Sequence, residues 1–357
     1  MSRTPLPCFV ITYTDSSFTN PHEVVRADEP PDCRGQFTHM GAKFWGFETD
    51  RHRGHRVDTR RASVRFDHEA HHVLHIGLQA AASVDAITVS TRWFTGNQVR
   101  AISIDLRLDG EWVTVLERAP LAPDADHEFP IPATDARECR LRCYQEGGIS
   151  RVNLFGTTLP DQQAPANLLE AATISHTSNA HYGRPEQAVA GHRAEDHMVG
   201  WESARTGFGE QALFTLARPA RIDRLIVDTY MHRLNPPLTA HLFGLPPGID
   251  PDVAMTRSPR WRIRFDDGHT VVPDDFRDYM LEARYLQEPT ASPTTFDVDL
   301  HAPGDSPWLA LVPFAELRPD SWHPLASADT DTEVAHLLLR FYPNGGIHGL
   351  AVHGREA

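Results

Sequence analysis

No stretch of the chain approaches the roughly 18 to 20 consecutive apolar residues of a membrane-spanning helix, so no membrane partner is expected. Basic residues are in deficit, 34 Lys and Arg against 48 Asp and Glu for a net charge of −14. They are scattered rather than gathered into a stripe, which argues against nucleic acid as a partner. Cysteine is scarce. Cys8, Cys33, Cys139 and Cys143 are too few and too irregularly spaced for a disulfide framework in 357 residues, and the last pair is not a metal-type C-x-x-C. Buried thiols are expected instead. The chain also lacks G-x-G-x-x-G, a Walker loop and G-x-S-x-G, leaving dinucleotide, phosphate-cradle and serine-hydrolase chemistry unsupported. The N-terminal apolar run Cys8 to Tyr13 is too short for a signal-peptide core, and a cytoplasmic location is the expectation.

Proline and glycine, by contrast, are plentiful at 28 and 23, and their even spread disfavours long helices. Turn signals such as Asp109-Gly110, Gly147-Gly148 and Gly345-Gly346 separate short alternating stretches. The clearest sets Ile102, Ile104, Leu106 and Leu108 against Ser103, Asp105, Arg107 and Asp109, the pattern of a strand with one wet face. The expected fold class is all-β, built from antiparallel jelly-roll sandwiches.

Three markers recur in the same order about 150 residues apart. Gly46-Phe47-Glu48-Thr49 answers Gly200-Trp201-Glu202-Ser203, Val89-Ser90-Thr91 leading to Asn97 answers Val227-Asp228-Thr229 leading to Asn235, and Gly147-Gly148-Ile149 answers Gly345-Gly346-Ile347. Preserved order indicates an internal duplication. The expected domains are residues 1–160 and 166–357, joined by a polar linker at 161–165. Asn97 and Gly147 lie 50 residues apart, whereas Asn235 and Gly345 lie 110 apart, so the second copy carries an insertion of about 60 residues near 245–306. Within it, residues 274–286 place Phe276, Met280 and Leu281 at helical spacing.

His68-Glu69-Ala70-His71-His72 satisfies the H-E-x-x-H pattern of zinc proteases, which works only on a helix, where both imidazoles share a face. Here it runs into Val73, Leu74 and Ile76, and exposed or partly buried histidines at a strand start are expected. The other histidines, including His181 and His232, match no common ligand spacing. The sequence requires no cofactor and leaves a divalent metal open. Glu48 and Glu202 each follow a glycine and an aromatic. Partial burial there would raise a carboxyl toward the range useful for proton transfer, and Arg51 and Arg205 are placed to clamp a carboxylate. The competing reading pairs each Glu with its Arg to tie loops together.

Taken as a set, these motifs resemble the allantoicase family, whose members are two tandem jelly-roll repeats. The first copy offers Gly46-Phe47-Glu48-Thr49-Asp50-Arg51, Val89-Ser90-Thr91 through Gly96-Asn97 and Tyr144 through Arg151. The second offers Ser178-Asn179-Ala180-His181-Tyr182-Gly183, Gly200-Trp201-Glu202-Ser203-Ala204-Arg205, Val227-Asp228-Thr229 with Asn235, and Tyr342 through Ile347. Ser90 departs from the family's Asp, and His232 and Leu234 from its Phe and Gly. The resemblance implies hydrolysis of the aminal C–N bond of allantoate, or of a related ureido or amidino compound, with release of urea and ureidoglycolate. It implies a small-molecule ureide as partner and assembly as a homo-oligomer. Carried over position by position, it makes Glu202, His181 and Glu48 the proton-transfer candidates. Arg205 and Arg51 fall to the substrate carboxylate, and Asn179, Tyr182, Asp228, Asn235 and Asn97 to the remaining substrate contacts. The less altered second copy is favoured for the site, in a cleft between repeats. The alternative is a catalytically silent jelly-roll protein that kept the fold and lost the chemistry.

Overall fold

A computed structural model describes residues 3–16, 19–39, 41–160, 166–191, 193, 200–204, 209–266, 268, 270–272 and 296–356. The linker at 161–165, the helix expected at 274–286 and Arg205 lie outside the described residues. The chain divides into two compact units, Met1–Ala164 and Pro165–Ala357, and both are built from antiparallel strands.

Two long strands make the first unit. His71–Ser90 pairs with Asp126–Tyr144 along nearly its whole length, and register shifts at Pro130/Thr134 and Ala136/Glu138 let the pair bend from one layer into the other. Its first half also pairs with Cys8–Tyr13, and its second half with Arg151–Thr158. Ala101–Arg107 and Val113–Pro120 extend the first layer. The result is a sandwich whose inward side chains, Leu74, Ile76, Ile87, Val89, Ile102, Ile104 and Leu141 among them, are fully buried. The wet face of Ala101–Arg107 is less wet than its pattern suggests. Asp105 is buried there beneath Arg140 and Arg142, each hydrogen-bonded to its carboxylate.

The second unit repeats the plan, with Glu210–Asp228 as the long bent strand. Its partner is divided into Trp322–Ala326 and Glu333–Tyr342, and Gly349–Glu356 takes the outer place. One layer here is apolar on both sides. Leu337 and Leu339 face the sandwich core, while Leu338 joins Leu213, Phe243, Leu245, Ala254 and Trp308 on the opposite face. That second cluster is the seat of the insertion. The short helix Pro251–Met255 is anchored by the Trp308 indole N–H, which donates to the Ala254 carbonyl at 2.9 Å. Arg260–Phe265, Thr270–Val271 and Phe296–His301 form a small sheet of their own. The insertion is therefore packed onto its unit, and its described part is more strand than helix.

The cysteines are free thiols, with Cys33, Cys139 and Cys143 buried, and burial pushes the Cys143 thiol up to about 12. No helix among the described residues is long and apolar enough to cross a membrane.

Candidate functional site

Both units place their repeated motifs in one constellation. Phe47–Glu48 pairs with Gly148–Ile149, and Trp201–Glu202 with Gly346–Ile347. The residue after each Glu locks the turn, since Thr49 N–H donates to Gly147 O at 3.1 Å and Thr49 Oγ1 accepts from Gly147 N–H at 2.9 Å. Ser203 makes the same two bonds to Gly345, each 3.0 Å. Gly147 and Gly345 adopt φ of 149° and 145°, a conformation that side chains rarely take. Each following glycine is capped by a ring. A Cβ on Gly148 would overlap Phe94, and one on Gly346 would overlap His232. Gly148→Ala is therefore expected to destabilise the protein by about 1–3 kcal/mol through overpacking, measured as a lower denaturation midpoint.

The turn brings an asparagine onto each glutamate. Asn97 Nδ2 donates to Glu48 Oε1 at 3.2 Å, and Asn235 Nδ2 donates to Glu202 Oε1 at 2.9 Å. Glu48 is buried at 5% exposure. Asn97 thus bonds it, whereas Arg51 makes no ion pair among the described residues and is exposed.

The units differ in what surrounds this pair. In the first, Glu48 and Asn97 line a cleft of about 400 Å³ with Arg51, Arg53, Arg100 and His72. Here His72 is 1% exposed and its Nδ1 lies 2.7 Å from Asp15 Oδ1. Asp15 also accepts from Asp50 N–H at 3.2 Å and pairs with Arg53 at 3.2 Å. Burial alone would raise the Asp15 carboxyl, but the hydrogen bond and charge of His72, the Asp50 N–H and Arg53 together hold it below the usual carboxylate range. Desolvation, reinforced by the charge on Asp15, raises Asp50. The H-E-x-x-H stretch is thus a turn leading into a strand; His68 is exposed and His71 half-buried as expected, but His72 is fully buried because strand alternation turns it inward with Leu74 and Ile76. Among the described residues, no group of three or more His, Cys, Asp or Glu side chains is placed to hold a metal.

In the second unit, strand register puts Glu210 where the first has His72, since His72 pairs with Cys143 and Glu210 with Phe341. Asn179 likewise occupies the place of Asp15, its Oδ1 accepting from Ala204 N–H as Asp15 accepts from Asp50. His181 is exposed, its N–H donating to Glu202 O at 3.2 Å and its ring edge-on to Tyr182. Asp228, which replaces Ser90, is only 2% exposed, and Arg193 grips it with two bonds of 2.9 and 3.1 Å. Glu202, Asn235, Asn179, His181 and Tyr182 thus share one neighbourhood, whereas the Asp228 carboxylate is committed to Arg193 and to the Tyr230 N–H.

A family profile described as "Allantoicase repeat" matches residues 3–159 and 166–357. The chain belongs to the allantoicase family. A probable allantoicase of Nocardia farcinica is 30% identical, the match covering 96% of this chain and 90% of the relative. The allantoicase of Saccharomyces cerevisiae is 22% identical over 97% of this chain and 90% of the relative. A crystal structure of the latter enzyme aligns at 20% identity over 97% of this chain and 90% of that one, with a TM-score of 0.34.

Sequence reasoning toward the allantoicase family missed His72, Asp15, Arg53 and Arg100. One signal was legible: His72 shares strand parity with Leu74, Ile76 and Leu78, all buried. Glu210 shares it with Ala212 and Phe214 in the second repeat. Desolvation pushes Glu210 up to about 7, against hydrogen bonds from Ser178 and Ser203 that lower it. A folded-state pKa above the ordinary carboxylate value adds stability that is fully present below about pH 4.5 and is lost as pH rises through about 7. Glu210→Gln cannot ionise, so relative to the unmodified protein it should gain roughly 2–3 kcal/mol between pH 5 and pH 8, read from denaturation midpoints at the two pH values.

Proposed function

We propose that this allantoicase-family protein hydrolyses allantoate, releasing urea and ureidoglycolate, in the cleft of the first unit. The observation that carries the reading is the coincidence, in one cleft, of the family's Glu48–Asn97 pair with cationic side chains that suit a carboxylated substrate. Allantoate bears two ureido groups and a carboxylate on one carbon, so the bond to break is an aminal C–N bond. Neither an acyl intermediate nor an oxyanion hole is needed.

Neither Arg51 nor Arg100 makes an ion pair among the described residues, and their guanidinium groups match the substrate carboxylate in charge and geometry. Asn97 fixes one oxygen of Glu48, which orients the carboxylate as base for the attacking water. Gln98, also in the cleft wall and 3% exposed, offers amide chemistry to a ureido group. The same reading makes the protein a cytoplasmic hydrolase that assembles with copies of itself.

Purified protein incubated with allantoate should release urea at a rate proportional to protein concentration. A rate no greater than that of a Glu48→Gln control would contradict the assignment.

A further inference from the structure

The reaction needs a proton donor for the departing urea, and the residues assigned so far supply only a base. We propose that His72, positioned by Asp15, protonates the leaving urea in the first-unit cleft, a role that rests on the allantoate reading. Two independent observations carry it.

The first is geometric. His72 lines the cleft together with Glu48, yet its ring is 1% exposed and its Nδ1 is held 2.7 Å from Asp15 Oδ1. That contact fixes the ring's orientation and directs proton exchange to the other nitrogen. Nε2 is buried with no hydrogen-bond partner among the described residues. A buried imidazole nitrogen without a partner is costly unless something else supplies one, and a substrate in the adjoining cleft does so.

The second is the comparison within the chain. At the same register position the second unit has Glu210, whose Oε2 accepts from Ser178 Oγ at 2.6 Å. Asn179 stands in place of Asp15, so at these two positions the second unit has neither the imidazole nor its carboxylate partner. The imidazole–carboxylate pair at these two positions belongs to the first unit, where it borders the cleft.

The step balances. The C–N bond breaks with its electron pair on the departing ureido nitrogen, which takes the Nε2 proton and leaves as urea. The lone pair of the remaining ureido nitrogen forms C=N⁺, water adds at that carbon, and the water proton passes to Glu48. His72 ends neutral and Glu48 protonated, and proton exchange through solvent resets both.

Several charged groups bear on the pair. Asp50 and Arg53 both touch Asp15, and Cys143 faces His72 across the ladder. The cleft adds Glu48, Glu146, Arg51, Arg100 and His55.

The test is steady-state urea release from allantoate across pH 5.5 to 9.5 with the unmodified protein, His72→Gln and Asp15→Asn. His72→Gln should lower kcat by about 10²–10³-fold, leave KM within about threefold and abolish the fall in kcat on the alkaline side. Asp15→Asn, altering a positioning residue, should lower kcat about tenfold and leave KM within about threefold. If His72→Gln keeps kcat and the alkaline limb while the unmodified protein is active, the His72 role is overturned and the allantoate reading survives. An inactive unmodified protein overturns the allantoate reading and the donor role with it. Should His72→Gln fail to fold, ¹⁵N-histidine spectra of Glu48→Gln decide. Saturating allantoate should shift the His72 Nε2 resonance, and an unmoved resonance overturns the proposal.

Discussion

Glu48→Gln is expected to lower kcat for urea release by about 10²–10⁴-fold, the range spanned by removal of a positioned general base. The substitution keeps the shape of the side chain and its contact with Asn97, so KM should change little. The same substitution at Glu202 should lower kcat by only a factor of a few. The two glutamates are alike in strand, turn and asparagine partner. They differ in surroundings, since Glu48 shares its cleft with His72 and the arginines, whereas register places Glu210 beside the Glu202 motif. A large loss at Glu202 with none at Glu48 would place the chemistry in the second unit.

Asp228→Ala should cost about 3–5 kcal/mol, because it removes a buried carboxylate that holds two hydrogen bonds from the Arg193 guanidinium and one from the Tyr230 N–H. Asp228 is 2% exposed, and the Arg193 side chain is 14% exposed over the ring of Tyr230. The loss would lower Tm by roughly 10 °C or more for a unit of this size, measurable by calorimetry. If Asp228 instead served mainly as a substrate contact, the variant would keep its Tm and raise KM. At the equivalent position the first unit has Ser90, whose hydroxyl accepts from the Arg92 N–H and bonds Asp126, so no buried carboxylate stands there.

Much of this protein was legible before its structure, because duplication and strand alternation are local patterns. The repeated Gly-aromatic-Glu and Gly-Gly-Ile markers became the paired two-residue strands, and the alternating isoleucines of Ala101–Arg107 became core. Leu337 to Phe341 also reads as strand and lies within Glu333–Tyr342, but an apolar run covered on both faces gives no alternation to say which side chains face which layer. The Glu48–Asn97 pair was foreseeable in its members but not as a contact. The His72–Asp15 contact joins residues 57 positions apart, and nothing local relates them. Parity alone marked His72 as inward, and the H-E-x-x-H pattern around it drew attention to metal chemistry that needs a helix. The asymmetry between Asp15–His72 and Asn179–Glu210 emerges only once strand register aligns the two units residue by residue.

The most direct test of the central claim is a crystal structure of the Glu48→Gln variant, slowed enough to hold substrate, grown with allantoate. The ligand should lie in the first-unit cleft with its carboxylate on Arg51 or Arg100, one ureido nitrogen near His72 Nε2 and its central carbon facing residue 48. Allantoate bound instead against Glu202 and Asn235, with the first cleft holding only solvent, would contradict the account.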